Sequence, residues 1–177
     1  MEFKELIEAR RSVRKYVASE ISKEEVEAIV GDALNAPSWK NTEVTRYYAA
    51  ISAEAKGRLW DEALPSFNVA STANAAALVA VTFKTGESGY MGTAAANELG
   101  EMWGAYDCGL ASAYFVLAAK NHGWDSLILG IRDAGKIKSI MGIPDDETLT
   151  AVIALGKAAG MVAKPSRKPV GEVVKGL

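Results

Sequence analysis

The sequence predicts one α+β domain, a mixed β-sheet flanked by helices, on three observations. Helical periodicity and strand-like apolar runs alternate along the chain, but their connections do not form the regular βαβ units of a doubly wound fold. At 177 residues and 49% hydrophobic content the chain can build a substantial core, burying on the order of 70% of its unfolded surface. No long linker or low-complexity tract divides it, so residues 1–177 read as a single domain whose residues 156–177 form an extended C-terminal arm.

The elements follow in order. Phe3, Leu6, Ile7 and Arg10 share one face of a short N-terminal helix, which points Arg10 where the apolar residues point. Ser22-Lys23-Glu24-Glu25 is a capping box, and Val26, Ile29, Val30 and Ala33 follow at helical spacing. That helix should stop near Asn35, because Pro37 disfavours helical geometry at Ala36. Residues 46–51 and 77–83 read as strands, the second apolar at nearly every position and hence buried on both faces. Residues 53–60 form a helix between them, and residues 86–89 a loop.

Residues 94–121 read as the long central helix, with Asn97, Glu98 and Glu101 on its polar side. Gly100, Gly104, Cys108 and Ser112 recur every four residues as a stripe of small side chains. Such a stripe admits a close neighbour, whether through ordinary packing or a subunit contact. Its apolar run, residues 108–119, is shorter than the ~20 residues a membrane span needs. Residues 124–130 are a short strand or turn, and Asp133 caps a helix that ends at Met141-Gly142. Residues 149–155 form another buried strand, closed by Gly156. The arm beyond it carries Lys157, Lys164, Arg167 and Lys168 with two prolines, and must wrap a partner subunit, a ligand phosphate or both.

Composition narrows the chemistry. Arg10-Arg11-Ser12-Val13-Arg14-Lys15-Tyr16 concentrates four cations and a hydroxyl on a chain of net charge −2. This suggests a local anion pocket more than a polyanion surface, so nucleic acid is not an expected partner. An exposed basic helix end is the alternative. The single cysteine, Cys108, lies in an apolar run and reads as a packed thiol. The single histidine, His122, sits at a helix terminus, so no metal site is expected. There is no Gly-x-Gly-x-x-Gly or Walker-type loop and no paired carboxylate site. A cofactor can carry the reaction of such a chain. Ala36-Pro37-Ser38-Trp39-Lys40-Asn41-Thr42 joins a hydroxyl, an amide and an aromatic ring in one loop. The charged start, with Glu2, Lys4 and Glu5, reads as cytoplasmic.

Four segments in one order carry a resemblance: Arg-Arg-Ser-Val-Arg-Lys-Tyr at 10–16, Ala-Pro-Ser-x-x-Asn at 36–41, Asp-Cys-Gly-Leu-Ala-Ser at 107–112, and Gly156 followed by Arg167-Lys168-Pro169. In that spacing the chain resembles the FMN-dependent nitroreductase family over nearly all its length. The resemblance implies a homodimer with FMN at the subunit interface and the C-terminal arm exchanged across it. Arg10, Ser12 and Arg14 match positions holding the FMN phosphate and ribityl chain, and Arg11 one beside the flavin pyrimidine. Arg167, helped by Lys164, matches a phosphate contact from the arm. Pro37, Ser38, Trp39 and Asn41 match the loop that reaches the flavin from the partner subunit. Asn68 resembles the amide at the pyrimidine edge, and Leu129 and Gly130 the turn whose N–H groups face flavin N5 and O4.

The implied reaction is ping-pong. NADH or NADPH passes hydride to flavin N5, then a small-molecule acceptor such as a nitroaromatic or quinone takes it, with no side chain as covalent or acid–base catalyst. Thr42-Glu43-Val44-Thr45 departs from the family's usual Gln-Pro-Trp continuation. Trp39 is poised to close over the flavin and restrict acceptor size, while the short segment 86–97 leaves little material for a lid. Dehalogenation on the same fold, or a flavin-binding sensor with little turnover, are the other readings.

Overall fold

Strand β3 (Ala77–Lys84) is the centre of construction, buried at every residue but its last. The computed structural model describes residues 1–176. Within it, β3 pairs antiparallel with β2 (Thr45–Ala50) on one side and β7 (Glu147–Ala158) on the other. The β3–β7 ladder runs from Ala77 opposite Leu155 to Lys84 opposite Glu147, with a bulge between Val81 and Thr82. The 12 residues of β7 also reach β6 (Asp125–Leu129) and the short β1 (Tyr16–Val17), completing five strands. Every ladder between these strands is antiparallel, and the parallel component is an isolated bridge between Ser12 and Ser126.

Side-chain alternation along β3 divides the core into two layers. Val79, Val81 and Phe83 face one cluster with Ile29 of α2 (Lys23–Ala33) and Phe115 of α5 (Met102–Asn121). Leu78 and Ala80 face the other, with Leu59 of α3 (Ala53–Glu62) and Ile137 of α6 (Ala134–Met141). The expected caps are in place. Ser22 Oγ accepts from the Glu25 N–H at 3.1 Å while Glu25 returns to the Ser22 N–H at 2.9 Å. Asp133 accepts from the Lys136 N–H at 3.0 Å, and Gly142 closes α6 in the left-handed region at φ 64°.

Two expectations require correction, and the small-residue stripe takes its ordinary-packing reading at one position. The central helix begins at Met102, not at residue 94, because Gly100 turns through φ 47°. Residues 94–95 instead form β5 (Ala94–Ala95), paired with β4 (Tyr90–Met91) in a small hairpin, and Glu101 is the helix cap. The stripe of small residues is filled by the chain itself at Gly104, against which the Phe83 ring packs. The apolar face of α1 (Phe3–Ala9) packs only in part, against α5: Leu6 is half-buried, but Phe3 is 67% exposed and no residue of α1 is fully buried. Helix α4 (Ser66–Thr72) is one that no periodicity in the sequence predicts.

The arm is exposed at every described position from residue 159 onward and includes only the short α7 (Val170–Val173). Among the described residues, no helix is long and apolar enough to cross a membrane, and no group of three or more His, Cys, Asp and Glu is placed to hold a metal.

Candidate functional site

The cationic segment is held in place by its backbone. Arg10 ends α1 in an extended conformation, its N–H bonding Leu6 O at 3.0 Å. The Val13 N–H then donates to Ser126 O at 2.9 Å, seating the chain beside β6. Val13 is buried, so alternation leaves Ser12 and Arg14 exposed on either side of it. Arg11 Nη1 donates to Glu8 O at 2.6 Å and Arg10 O at 2.8 Å, while its buried Nε has no partner. Among the described residues, the Arg10 and Arg14 guanidinium groups have neither a hydrogen-bond nor an ion-pair partner.

The arm runs alongside. The Ala159 N–H donates to Lys15 O at 2.9 Å, and a cleft between Arg11, Lys120 and Asp125 on one side and Gly160 and Met161 on the other marks the meeting. Lys164 pairs with Glu8, and this ammonium beside it holds the Glu8 carboxyl below its ordinary value. Lys164 is thus engaged within the chain, whereas Arg167 is exposed and reaches only Ser166 O at 3.4 Å.

Asn68 is 8% exposed and donates from Nδ2 to Ile131 O at 2.7 Å, which ties α4 to the turn following Leu129 and Gly130. Leu129 is buried at the end of β6 and Gly130 is exposed. A Cβ built at Gly130 would meet nothing within 4 Å, so the backbone of this turn faces open space.

The second group of predicted residues lies in the loop after α2. Residues Trp39–Asn41 make a tight turn within this loop, closed by the Thr42 N–H on Trp39 O at 2.9 Å, with Lys40 outside helical geometry. Lys40, Asn41 and Glu43 take positive φ angles of 47°, 57° and 50°. Side chains with a Cβ adopt this region at a cost of about 1–2 kcal/mol each, asparagine less. The loop is knitted internally: the Glu43 N–H donates to Ser38 Oγ at 3.0 Å, and Asn41 Nδ2 to Glu43 Oε1 at 2.9 Å. Glu43, which departs from the family pattern, therefore points its carboxylate back to Asn41. Pro37 is exposed, and with Ser38 it lines a crevice against Tyr47 and Asp107. The Trp39 ring lies on Trp103, centroids 4.9 Å apart and tilted by 51°.

Two partners of this loop and its strand had no role assigned from sequence, although Asp107 opens the 107–112 segment. Asp107, only 3% exposed on α5, accepts from the Trp39 N–H at 2.9 Å and from the Ser88 hydroxyl at 2.6 Å. Its signal was a carboxylate in register with Cys108, Ala111 and Phe115 on the buried face of α5. Glu147, also buried, accepts from Tyr48 at 2.9 and 3.0 Å and from Thr82 at 2.5 Å. Burial and this carboxylate push the Tyr48 phenol up to about 12. Burial likewise raises the Cys108 thiol, as expected for a packed rather than reactive cysteine.

The predicted site residues thus fall into two sets. One comprises Arg10, Arg11, Ser12 and Arg14 with the arm; this segment meets β6 at Ser126, and Leu129 and Gly130, with Asn68 bonded to Ile131 O, lie at the C-terminal end of the same strand. The other comprises Pro37, Ser38, Trp39 and Asn41 against α5. Among the described residues, no hydrogen bond, ion pair or ring contact links the loop to the cationic segment.

The family described as Nitroreductase family matches residues 7–157. The Bacillus subtilis protein YdgI, provisionally named an NAD(P)H nitroreductase, is 28% identical, with 98% of this chain and 97% of that protein covered. An Archaeoglobus fulgidus protein, provisionally named an NADH dehydrogenase/NAD(P)H nitroreductase, is 28% identical over 85% of this chain and 82% of its own. Among solved structures, a protein from Exiguobacterium sibiricum, provisionally called a nitroreductase and crystallised with FMN, superposes with a TM-score of 0.87. It is 22% identical and covers 100% of this chain and 98% of its own, a likeness of fold.

Proposed function

This chain belongs to the nitroreductase family, and we propose that it is an FMN-dependent oxidoreductase that takes electrons from NADH or NADPH and reduces nitroaromatic, quinone or related acceptors. The observation that carries the reading is the uncommitted charge at residues 10–14. Arg10 and Arg14 have no anionic partner among the described residues, and Arg11 Nε is buried without one. Guanidinium groups held this way fit a phosphate, which accepts several charge-assisted hydrogen bonds at once. The donor set therefore fits FMN. The FMN-bound Exiguobacterium sibiricum structure supports the same assignment.

In this reading Arg10, Ser12 and Arg14 hold the phosphate and ribityl chain, and Arg167 adds a cation from the arm. Arg11, steadied by its bonds to two main-chain carbonyls, stands beside the pyrimidine and favours negative charge there. Asn68 acts first on the protein, fixing the Leu129–Gly130 turn through Ile131 O, so that the turn presents backbone to the ring. Bound FMN supplies the hydride acceptance and donation that no side chain of this site provides. Pro37, Ser38, Trp39 and Asn41 close the site from a second copy of the chain. Two features support a homodimer: among the described residues no hydrogen bond, ion pair or ring contact joins the loop to the cations, and the arm and the face bearing Phe3 and Ile7 are exposed.

The test is spectroscopic. Purified protein supplemented with FMN should show a shifted flavin spectrum after removal of free flavin. Anaerobic NADH or NADPH should then bleach it, and an added quinone restore it. Protein that retains no flavin under saturating FMN refutes the assignment.

A further inference from the structure

We infer that Asp107 is a positioning residue that pins the Trp39 loop in its strained conformation. Among the described residues, the bond from the Trp39 N–H to Asp107 Oδ2 is the only hydrogen bond that ties residues 37–43 to a distant element; the others stay between residues 33 and 46. It spans 68 residues of sequence and joins the loop to the second turn of a 20-residue helix. The loop needs such a tether. Three consecutive or nearly consecutive side-chain-bearing residues at positive φ persist only where the surroundings over-determine them.

Asp107 is suited to the task by its own setting. It is 3% exposed, and its described partners are two neutral donors, the Trp39 N–H and the Ser88 hydroxyl. A buried carboxylate with no cation beside it holds such donors strongly, since releasing either leaves the charge less compensated. Ser88 orients the carboxylate from the segment after β3, Asp107 fixes the Trp39 backbone, and the Trp39 indole is thereby set on Trp103, one turn earlier on α5. The pin itself is independent of any cofactor. Its consequence for a flavin rests on the reading above.

The experiment uses FMN-free protein. Lys40 is exposed within the strained loop, so trypsin cleavage after Lys40, mapped by mass spectrometry, reports loop release. Asp107→Ala should accelerate that cut by at least about tenfold, the fold-change expected from losing a charge-assisted bond. Cleavage at lysines far from the loop, such as Lys120, should stay at the wild-type rate. The near-ultraviolet circular dichroism of the Trp39–Trp103 pair should weaken in parallel. Asp107→Asn, which keeps the volume and one acceptor oxygen, should restore most of both signals, with cleavage about threefold above wild type. Unchanged cleavage after Lys40 in both variants overturns the inference. So does equal acceleration at every site, which makes Asp107 a general stability residue. If Asp107→Ala does not fold, the Asn variant decides alone, by a selective rise at Lys40 or none. FMN titration of the wild type is a separate arm: failure to bind overturns the flavin reading and leaves the cleavage result standing.

Discussion

Replacing Gly104 by alanine should destabilise the protein, against the usual sign for a helical glycine. A Cβ at this position would sit 2.4 Å from Phe83 Cδ2 and 2.5 Å from Cε2. Carbon atoms prefer about 3.5–4.0 Å, so the overlap exceeds about 1 Å. The Phe83 ring is 3% exposed, in a cluster with Cys108 and Val81, and cannot swing aside. Either the ring leaves its rotamer or α5 lifts from β3. Overpacking of this kind costs about 1–3 kcal/mol, and an aromatic overlap this deep belongs near the upper end. Alanine returns about 0.8–1.0 kcal/mol in helix propensity. The net loss is about 2 kcal/mol, or a fall in Tm of about 4–8 °C for a domain this size. Gly57 in α3 is the control, because its Cβ would meet nothing within 4 Å and propensity alone should raise Tm by a few degrees. Thermal unfolding of both FMN-free variants, followed at 222 nm, reads the opposite signs. A Gly104→Ala protein as stable as Gly57→Ala would refute the claim that Phe83 limits the approach of helix to sheet.

Arg14→Ala should leave the stability of the FMN-free protein within about 0.5 kcal/mol of wild type, since its side chain is exposed and unpaired, but weaken FMN binding about 10- to 100-fold. Flavin fluorescence quenching measures this, and a Kd within twofold of wild type removes Arg14 from the phosphate site. The Glu8–Lys164 pair should release the arm in acid. Lys164 lowers the Glu8 carboxyl below its ordinary 4.5, so the contact is complete above that value and is lost as pH falls through the lowered one. Hydrogen exchange of residues 159–168 should therefore accelerate, relative to β3, only below pH 4.5, and Glu8→Gln should show the released rate at pH 7. Pair-independent exchange at all pH values would show that other contacts hold the arm.

What the sequence made legible was what local rules govern. The unbroken apolar run of β3, the Ser22 capping box and the Asp133 and Gly142 ends of α6 each follow from neighbouring residues, and each stands where expected. Helix α4 escaped because its buried face is polar: Asn68 and Thr72 are its buried residues, satisfied by Ile131 O and by the Trp60 indole. No apolar periodicity announces such a helix. The start of α5 was misplaced because Ala94, Ala95 and Ala96 favour helix, whereas the positive φ of Gly100 ends any continuous run. The cationic segment was visible as composition. The roles of Asp107 and Ser88 were not, because each depends on a contact that only the fold creates.

Physical irregularities in this chain are not scattered. Five buried side-chain polar atoms among the described residues lack a hydrogen-bond partner: those of Arg11, Tyr16, Trp39, Thr42 and Arg132. Two lie in the segment that carries the free arginines, two in the Trp39 loop, and the fifth directly after the Gly130–Ile131 turn. The three side-chain-bearing residues at positive φ fall in the same loop. Elsewhere local choices agree with the fold, from the capped helices to the two alternating layers of the core. Unsatisfied polar atoms and strained backbone lower stability, and a chain retains them where another requirement outweighs packing. Their concentration at residues 11–16, 39–43 and 130–132 makes these segments the ones where substitutions are expected to change ligand binding more than folding. They overlap the resemblance's flavin positions at Arg11, Ser12, Arg14, Trp39, Asn41 and Gly130, while Asn68, Lys164 and Arg167 lie outside them.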